Sequence, residues 1–280
     1  MNMDLKYTEF NDDGFGLAVK IKQSLYHNKS DFQTLDILET EGLGRLLLMD
    51  GLVMTTEKDE YFYHEMISHI PMISHKSPKS VLVIGGADGG TVREVLKHNT
   101  VEKVVMCEID GLAVDVCKKY FPTIACELDN PKVEICINDG VEFIKDKKSE
   151  YDVILIDSTD PLGPGVGLFT EEFYTNVKQA LKPGGIMVAQ SESPIADKKE
   201  MRQMYKLLNK VFPIVKPYIG PVPTYPGGFW SWAFCSESVE PLHFIDEDRA
   251  KAISKSLKLY NLDIHRSVFA LPNYVKEIVE

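Results

Sequence analysis

Four apolar runs in the middle of the chain each end in carboxylates. VLVIG leads into Gly85-Gly86-Ala87-Asp88-Gly89-Gly90, and KVVMCEI carries Glu108-Ile109-Asp110 at its end. KVEICIN is followed by Asp139-Gly140, and YDVILID by Asp157-Ser158-Thr159-Asp160-Pro161. A glycine-rich turn lets backbone approach a nucleotide closely, and an acid about twenty residues further on suits ribose hydroxyls. Gly85–Gly90 and Glu108 together therefore point to a nucleoside without saying which one. Asp88 narrows the choice. A dinucleotide's pyrophosphate would rest on this turn, where a carboxylate repels it at short range. Asp88 instead suits a ligand that carries positive charge, and Asp157 and Asp160 add to the same field.

Each acid also has a plainer use. Asp88 and Asp139 could form turns or cap helices, Glu108 could be a solvated strand end, and Asp157–Pro161 could be an Asx turn. One acid at a strand end is common. Acids at four successive strand ends facing one crevice are costly unless a cation fills it. This argues against a nicotinamide-dependent oxidoreductase, which needs a phosphate-compatible turn. A non-catalytic module that binds a small cationic ligand is a further alternative.

The elements that must position these residues follow from periodicity. From Ser80 onward, near-continuous apolar strands alternate with amphipathic helices, the signature of a doubly wound, mostly parallel sheet. Ligands bind beyond the carboxyl ends of such strands, at the acids described above. FWSWAFCS supplies a late strand after a Pro-rich loop. Residues 1–57 have a different texture: short alternating segments separated by Asn28–Asp31, Gly42, Gly44 and Asp50-Gly51. The expected organisation is a small N-terminal antiparallel β domain over 1–57, a linker helix and junction over 58–78, and a Rossmann-like catalytic domain over 79–280. The helix is expected from about Lys58 to Ile70, with Pro71 ending it.

Composition sets the boundaries. The chain has 280 residues and a formal net charge of −11, with no Lys/Arg cluster among aromatics, which argues against a nucleic-acid surface. No apolar run is long enough to span a bilayer, and the N-terminal residues lack a signal-type apolar segment. The five cysteines form no C-x-x-C pair and no histidine lies among them, so no metal site is expected. The expected location is the cytoplasm.

From Phe32 to Trp230 the chain resembles the spermidine synthase family of polyamine aminopropyltransferases. The matching stretches are DGLVMTTEKDEYFYHEM, GGADGG, CEID, NDG, DSTDPLGPG and TYPGGFW. The resemblance implies a class I methyltransferase-like fold. It also implies that an aminopropyl group passes from decarboxylated S-adenosylmethionine, a co-substrate rather than a cofactor, to a small diamine. Gln33 and Glu108 would hold the nucleoside and ribose, Asp139 and Gly140 the adenine, with main chain near Pro164 over the base. Asp88 would hold the donor's ammonium. Tyr63, His64, Asp157, Ser158, Thr159 and Asp160 would line the amine channel, and Tyr225 would close it. In that family the loop over 160–169 acts as a gate. Ala87 departs from the usual glycine and needs negative φ there. Tyr63 and His64 on the linker helix could equally be packing residues.

The chemistry is mainly one of alignment, since the sulfonium already activates its methylene. The acids that attract an alkylammonium also raise its pKa and so oppose its activation. A division of labour resolves this: one carboxylate anchors the far ammonium, while Asp157 accepts the proton of the near amine. The closest alternative is a putrescine N-methyltransferase using the ordinary donor, whose carboxylate would meet Asp88. Putrescine is the expected amine, with cadaverine, agmatine and spermidine as alternatives that channel shape would decide. The exposed edges of the β domain suggest a homodimer or homotetramer.

Overall fold

The structure is a computed structural model that describes residues 5–11, 13–161 and 163–280. Two sheets make up its frame. The N-terminal one has five antiparallel strands in sequence order: β1 Lys6–Phe10, β2 Gly16–Lys29, β3 Thr34–Thr40, β4 Arg45–Met49 and β5 Leu52–Thr56. The turn from β4 to β5 is Asp50-Gly51, both at positive φ (49° and 81°), as a two-residue hairpin connection requires.

Helix α1, Glu60–Ser74, joins the sheets. All its residues except Tyr61 and Phe62 are buried, so it is a shared core element with little amphipathic character. It also runs one turn further than the sequence suggests, with Pro71 inside it. A proline in a helix removes one backbone donor. The complete burial of Ile70, Met72 and Ile73 outweighs that loss.

The large sheet then forms in alternation with helices: β6 Ser80–Gly85, α2 Gly90–Leu96, β7 Lys103–Glu108, α3 Gly111–Tyr120, β8 Val133–Ile137, α4 Gly140–Ile144 and β9 Tyr151–Asp157. It continues through α5 Glu171–Ala180, β10 Leu181–Gln190, α6 Lys198–Val211, β11 Ile214–Pro221 and β12 Phe229–Ser236. Helices α7 Glu247–Ser254, α8 Leu262–Ser267 and α9 Asn273–Val279 close the chain. The strand order is β11-β12-β10-β9-β6-β7-β8, with β6 to β10 parallel and β12 antiparallel to β10. Strand β11 went unrecognised in the sequence because Pro217 and Pro221 read as loop. It lies at the sheet edge, where a missing backbone donor is tolerated.

Side chains alternate strictly across this sheet. Val81, Val83, Val153, Leu155, Ile186 and Val188 enter the core shared with α1 and the N-terminal strands. Leu82, Ile84, Ile154, Ile156, Met187 and Ala189 enter the core under α5 and α6. Strand order reverses at β6, whose neighbours are β7 and β9. The crevice beyond this reversal point is therefore bounded by the Gly85–Gly90 turn and by Asp157. No described helix is long and apolar enough to cross a membrane.

Candidate active site

One cleft gathers the strand-end residues together with side chains from α1, the N-terminal sheet and the Pro-rich loop. It encloses about 1220 Å³ of space, counting its solvent-open mouth. Gln33, Tyr63, His64, Asp88, Glu108, Asp139, Gly140, Asp157, Ser158, Thr159, Asp160 and Tyr225 all line it. Pro164 lies in the short helical turn Gly163–Leu168, whose Gly165 and Leu168 line the cleft. Leu162, in the expected gating loop, lies outside the described residues.

At the β7–β8 side the acids are each occupied by fixed donors. Asp110 caps α3, its Oδ1 accepting the Leu112 and Ala113 N–H groups at 3.1 and 3.2 Å. Its Oδ2 accepts from the Gln33 amide at 3.0 Å and the Ser30 hydroxyl at 2.7 Å. Gln33 is thereby anchored at the cleft by a residue 77 positions away in sequence but adjacent in space. Glu108 Oε1 accepts the Asp110 N–H at 2.9 Å, and burial pushes its carboxyl up to about 7. Asp139 caps α4 through the Val141 N–H at 2.8 Å while also facing the cleft. Capping and cleft lining are compatible, since one oxygen serves each purpose.

The opposite side is organised around charge. The turn is built so that Gly86 (φ 73°) lies against β9: a Cβ there would come within 2.8 Å of Asp157 Oδ2. Ala87 is not among the residues at positive φ, so alanine fits where a glycine is usual and strains nothing. Asp88 Oδ1 accepts the Gly90 N–H at 2.8 Å, and its Oδ2 lies 3.3 Å from His64 Nε2. Burial alone would raise Asp88, but the charge and hydrogen bond of His64 outweigh it and hold the carboxyl below its usual range.

Asp157 Oδ2 accepts the Thr91 hydroxyl at 2.6 Å, and Tyr63 lines the cleft with it and lowers its proton affinity in part. Burial raises Asp157; the His64 charge opposes this, Asp88 reinforces it, and the net direction is upward. Tyr63 itself is raised well above a normal phenol, first by burial and then by the Asp157 charge. It therefore stays a proton donor at neutral pH. The Ser158 hydroxyl is buried without a partner among the described residues, leaving a polar atom available to a ligand in the cleft. Tyr225 gives its hydroxyl to the Met54 carbonyl at 2.6 Å, and its ring stands 5.9 Å from that of Tyr63. The Pro-rich loop is thereby fastened to β5 as a wall of the cleft.

Three participants escaped the sequence reading. Glu192, at positive φ (70°) and 2 % exposed, is raised well above its usual range, chiefly by burial and then by the Asp160 charge. Glu192 and Asp160 act on each other electrostatically, and burial raises Asp160 as well. Gln190 lines the cleft and donates to Glu192 Oε1 at 3.0 Å. Both follow the fifth parallel strand, so the strand-end rule extended by one strand finds them. Glu9 lines the cleft from β1; it accepts the Val53 N–H and the Tyr7 hydroxyl, both at 2.8 Å. Burial raises it, and the Asp160 charge adds to this. Nothing local to Glu9 signals that position, which arises because the N-terminal sheet folds over the crevice.

The Rossmann-like sheet thus carries one cleft with two acid-lined corners at the carboxyl ends of its strands. Residues 60–247 match the family model for the spermine/spermidine synthase domain, and residues 6–57 match that for the spermidine synthase tetramerisation domain. The chain belongs to the spermine/spermidine synthase family and is a transferase. It is 46 % identical over 280 residues to a polyamine aminopropyltransferase of Alkaliphilus oremlandii, covering 99 % of each chain. It is 47 % identical over 279 residues to that of Thermoanaerobacter pseudethanolicus, again with 99 % coverage of each. A spermidine synthase solved with the transition-state analogue AdoDATO superposes with a TM-score of 0.96 at 45 % identity, covering 98 % of this chain and 94 % of that one. Spermidine synthase from Thermotoga maritima gives 0.95 at 44 % identity, covering 99 % and 95 %.

Proposed function

We propose that this enzyme transfers the aminopropyl group of decarboxylated S-adenosylmethionine to putrescine, giving spermidine and 5'-methylthioadenosine. The observation that carries this reading is Asp88 in the glycine-rich turn. Between the Glu108 corner and Asp157, it suits a donor that ends in an ammonium and disfavours one that ends in a carboxylate.

Glu108 takes the ribose hydroxyls in this reading, with Gln33 beside it, and Asp139 and Gly140 face the base. The sulfonium methylene then lies between the two corners. The diamine enters along Asp157–Asp160. Its far ammonium is held where Asp160, Glu192 and Glu9 converge, while its near amine gives a proton to Asp157. The carbon–nitrogen bond forms as the carbon–sulfur bond breaks, and sulfur leaves as the neutral thioether. Two features support Asp157 as acceptor: its place beside Asp88 in the cleft and its raised affinity for protons. The far-end acids hold protons more tightly than usual, so the arriving ammonium displaces one of them and avoids an accumulation of bare charge. We assign assembly to the N-terminal sheet, whose relatives in the matching family model form tetramers and whose Phe10 and Phe15 are exposed. We place the enzyme in the cytoplasm, where its free cysteines persist.

The test is a product assay by mass spectrometry with putrescine and, separately, decarboxylated or ordinary S-adenosylmethionine. Spermidine and methylthioadenosine from the decarboxylated donor alone are expected. Methylputrescine from the ordinary donor would replace this reading with a methyltransferase.

A further inference from the structure

His64 is held between two carboxylates. Its Nδ1 lies 2.6 Å from Glu60 Oε2 and its Nε2 lies 3.3 Å from Asp88 Oδ2. Ionised carboxylates only accept, so both ring nitrogens must donate, and the ring is an imidazolium. The ring cannot turn away to satisfy itself elsewhere. It is 3 % exposed and lies on Gly90, where a Cβ would come within 2.3 Å of it. The two partners differ in character. Glu60 is fixed from behind by Arg93 Nη2 at 2.7 Å, and Arg93 Nε is fixed in turn by Glu94 at 2.8 Å. Glu60 therefore shares its charge with a permanent cation. Asp88 faces the cleft, and its charge is answered chiefly by His64.

We propose that His64 is a resident counter-cation for Asp88, displaced by the donor's ammonium with loss of the Nε2 proton, so that donor uptake releases a proton from His64. This rests on the assignment of Asp88 to the donor's ammonium. The proton balance is simple: imidazolium plus ligand ammonium becomes neutral imidazole plus bound ammonium, with one proton passed to solvent. The neutral ring keeps Nδ1–H on Glu60 and turns its Nε2 lone pair toward the ligand. A donor in the empty cleft thus becomes an acceptor in the filled one, and the empty turn never holds a bare carboxylate. The other groups around the ring are Asp157 from β9 and Tyr63 beside it on α1, with Arg93 from α2 behind Glu60. Burial disfavours the charged ring, yet Asp88 first and Glu60 second raise it well above an ordinary imidazole. Once the ligand's ammonium answers Asp88, burial, the largest cause, is opposed chiefly by Glu60, whose charge Arg93 already shares, and the neutral form is favoured.

The experiment is calorimetric titration of the whole enzyme at about pH 7.5 in buffers of different ionisation enthalpy, without diamine. Decarboxylated S-adenosylmethionine is compared with methylthioadenosine, which has the same nucleoside and no ammonium. The donor is expected to release about one proton more per site than methylthioadenosine, whose own release from Glu108 is subtracted. His64→Gln should abolish that excess. In ¹⁵N spectra of the unaltered enzyme, His64 should pass from imidazolium to the Nδ1–H tautomer on adding donor, which decides the matter even if the variant folds poorly. Tight donor binding with no excess proton, or an unmoved His64 signal, overturns the proposal while leaving the transferase reading intact. A donor that neither binds nor yields product overturns both.

Discussion

The two corners of the cleft use the same residue types in opposite ways. At the β7–β8 corner, Asp110 and Asp139 cap helices and Glu108 accepts a backbone N–H. These carboxylates are held by neutral donors in fixed positions, the arrangement that recognises hydroxyls by geometry. At the β6–β9 corner, Asp88, Asp157, Asp160, Glu192 and Glu9 face one another, and a single imidazole bridges part of the field. That arrangement recognises charge. An acid therefore reveals its role through what already holds it: one satisfied by backbone selects shape, and one left against other acids selects a cation.

The sharpest way to break this contrast is at Asp157. Asp157→Asn should lower kcat by about 10²- to 10⁴-fold, the range of one lost proton acceptor, with methylthioadenosine affinity nearly unchanged. If Asp160→Asn abolishes turnover instead while Asp157→Asn retains it at every pH, the two roles are exchanged. Asp88→Asn comes next. It should weaken the decarboxylated donor by about 10- to 100-fold, the cost of a hydrogen bond to a charged group, and leave methylthioadenosine binding alone in equilibrium titration. An equal loss for both ligands would place Asp88 in the nucleoside corner.

Glu108 tests the other corner through pH. Its carboxyl is raised to about 7 by burial, and ribose hydroxyls need the ionised form. Methylthioadenosine affinity should therefore rise by nearly tenfold per pH unit below that value and level off above it, with Glu108→Gln flattening the profile. The sign for folding is opposite: a raised acid binds more protons when folded, so its contribution to stability declines as pH climbs from the ordinary glutamate range toward 7. The smallest effect is expected at Ala87→Gly. With φ not positive there, glycine adds unfolded-state freedom, costing about 0.4–1 kcal/mol, and removes one buried methyl, costing about 0.8 kcal/mol, in denaturant melts with donor affinity unchanged.

Much of the scaffold was legible because burial repeats with a fixed period. The apolar runs VLVIG and YDVILID could only be strands covered on both faces, and Val81/Val83 against Leu82/Ile84 do divide between two cores. Where local chemistry competed with tertiary burial, the reading failed. Pro71 looked like a helix end, yet it sits inside a helix buried on every side. Pro217 looked like loop, yet an edge strand spares its missing donor.

The sequence by itself determined the doubly wound sheet, the crevice at its carboxyl ends, and the set of acids from Asp88 to Asp160, because each of these depends on residues close together in the chain. Only the tertiary structure decided which acids share a charge field. Glu9 reaches Asp160 from the first strand of the other sheet, and Glu60 reaches Asp88 only through His64. Electrostatic coupling depends on distance through space in a dry interior, and that distance is set by how α1 and the N-terminal sheet cover the crevice.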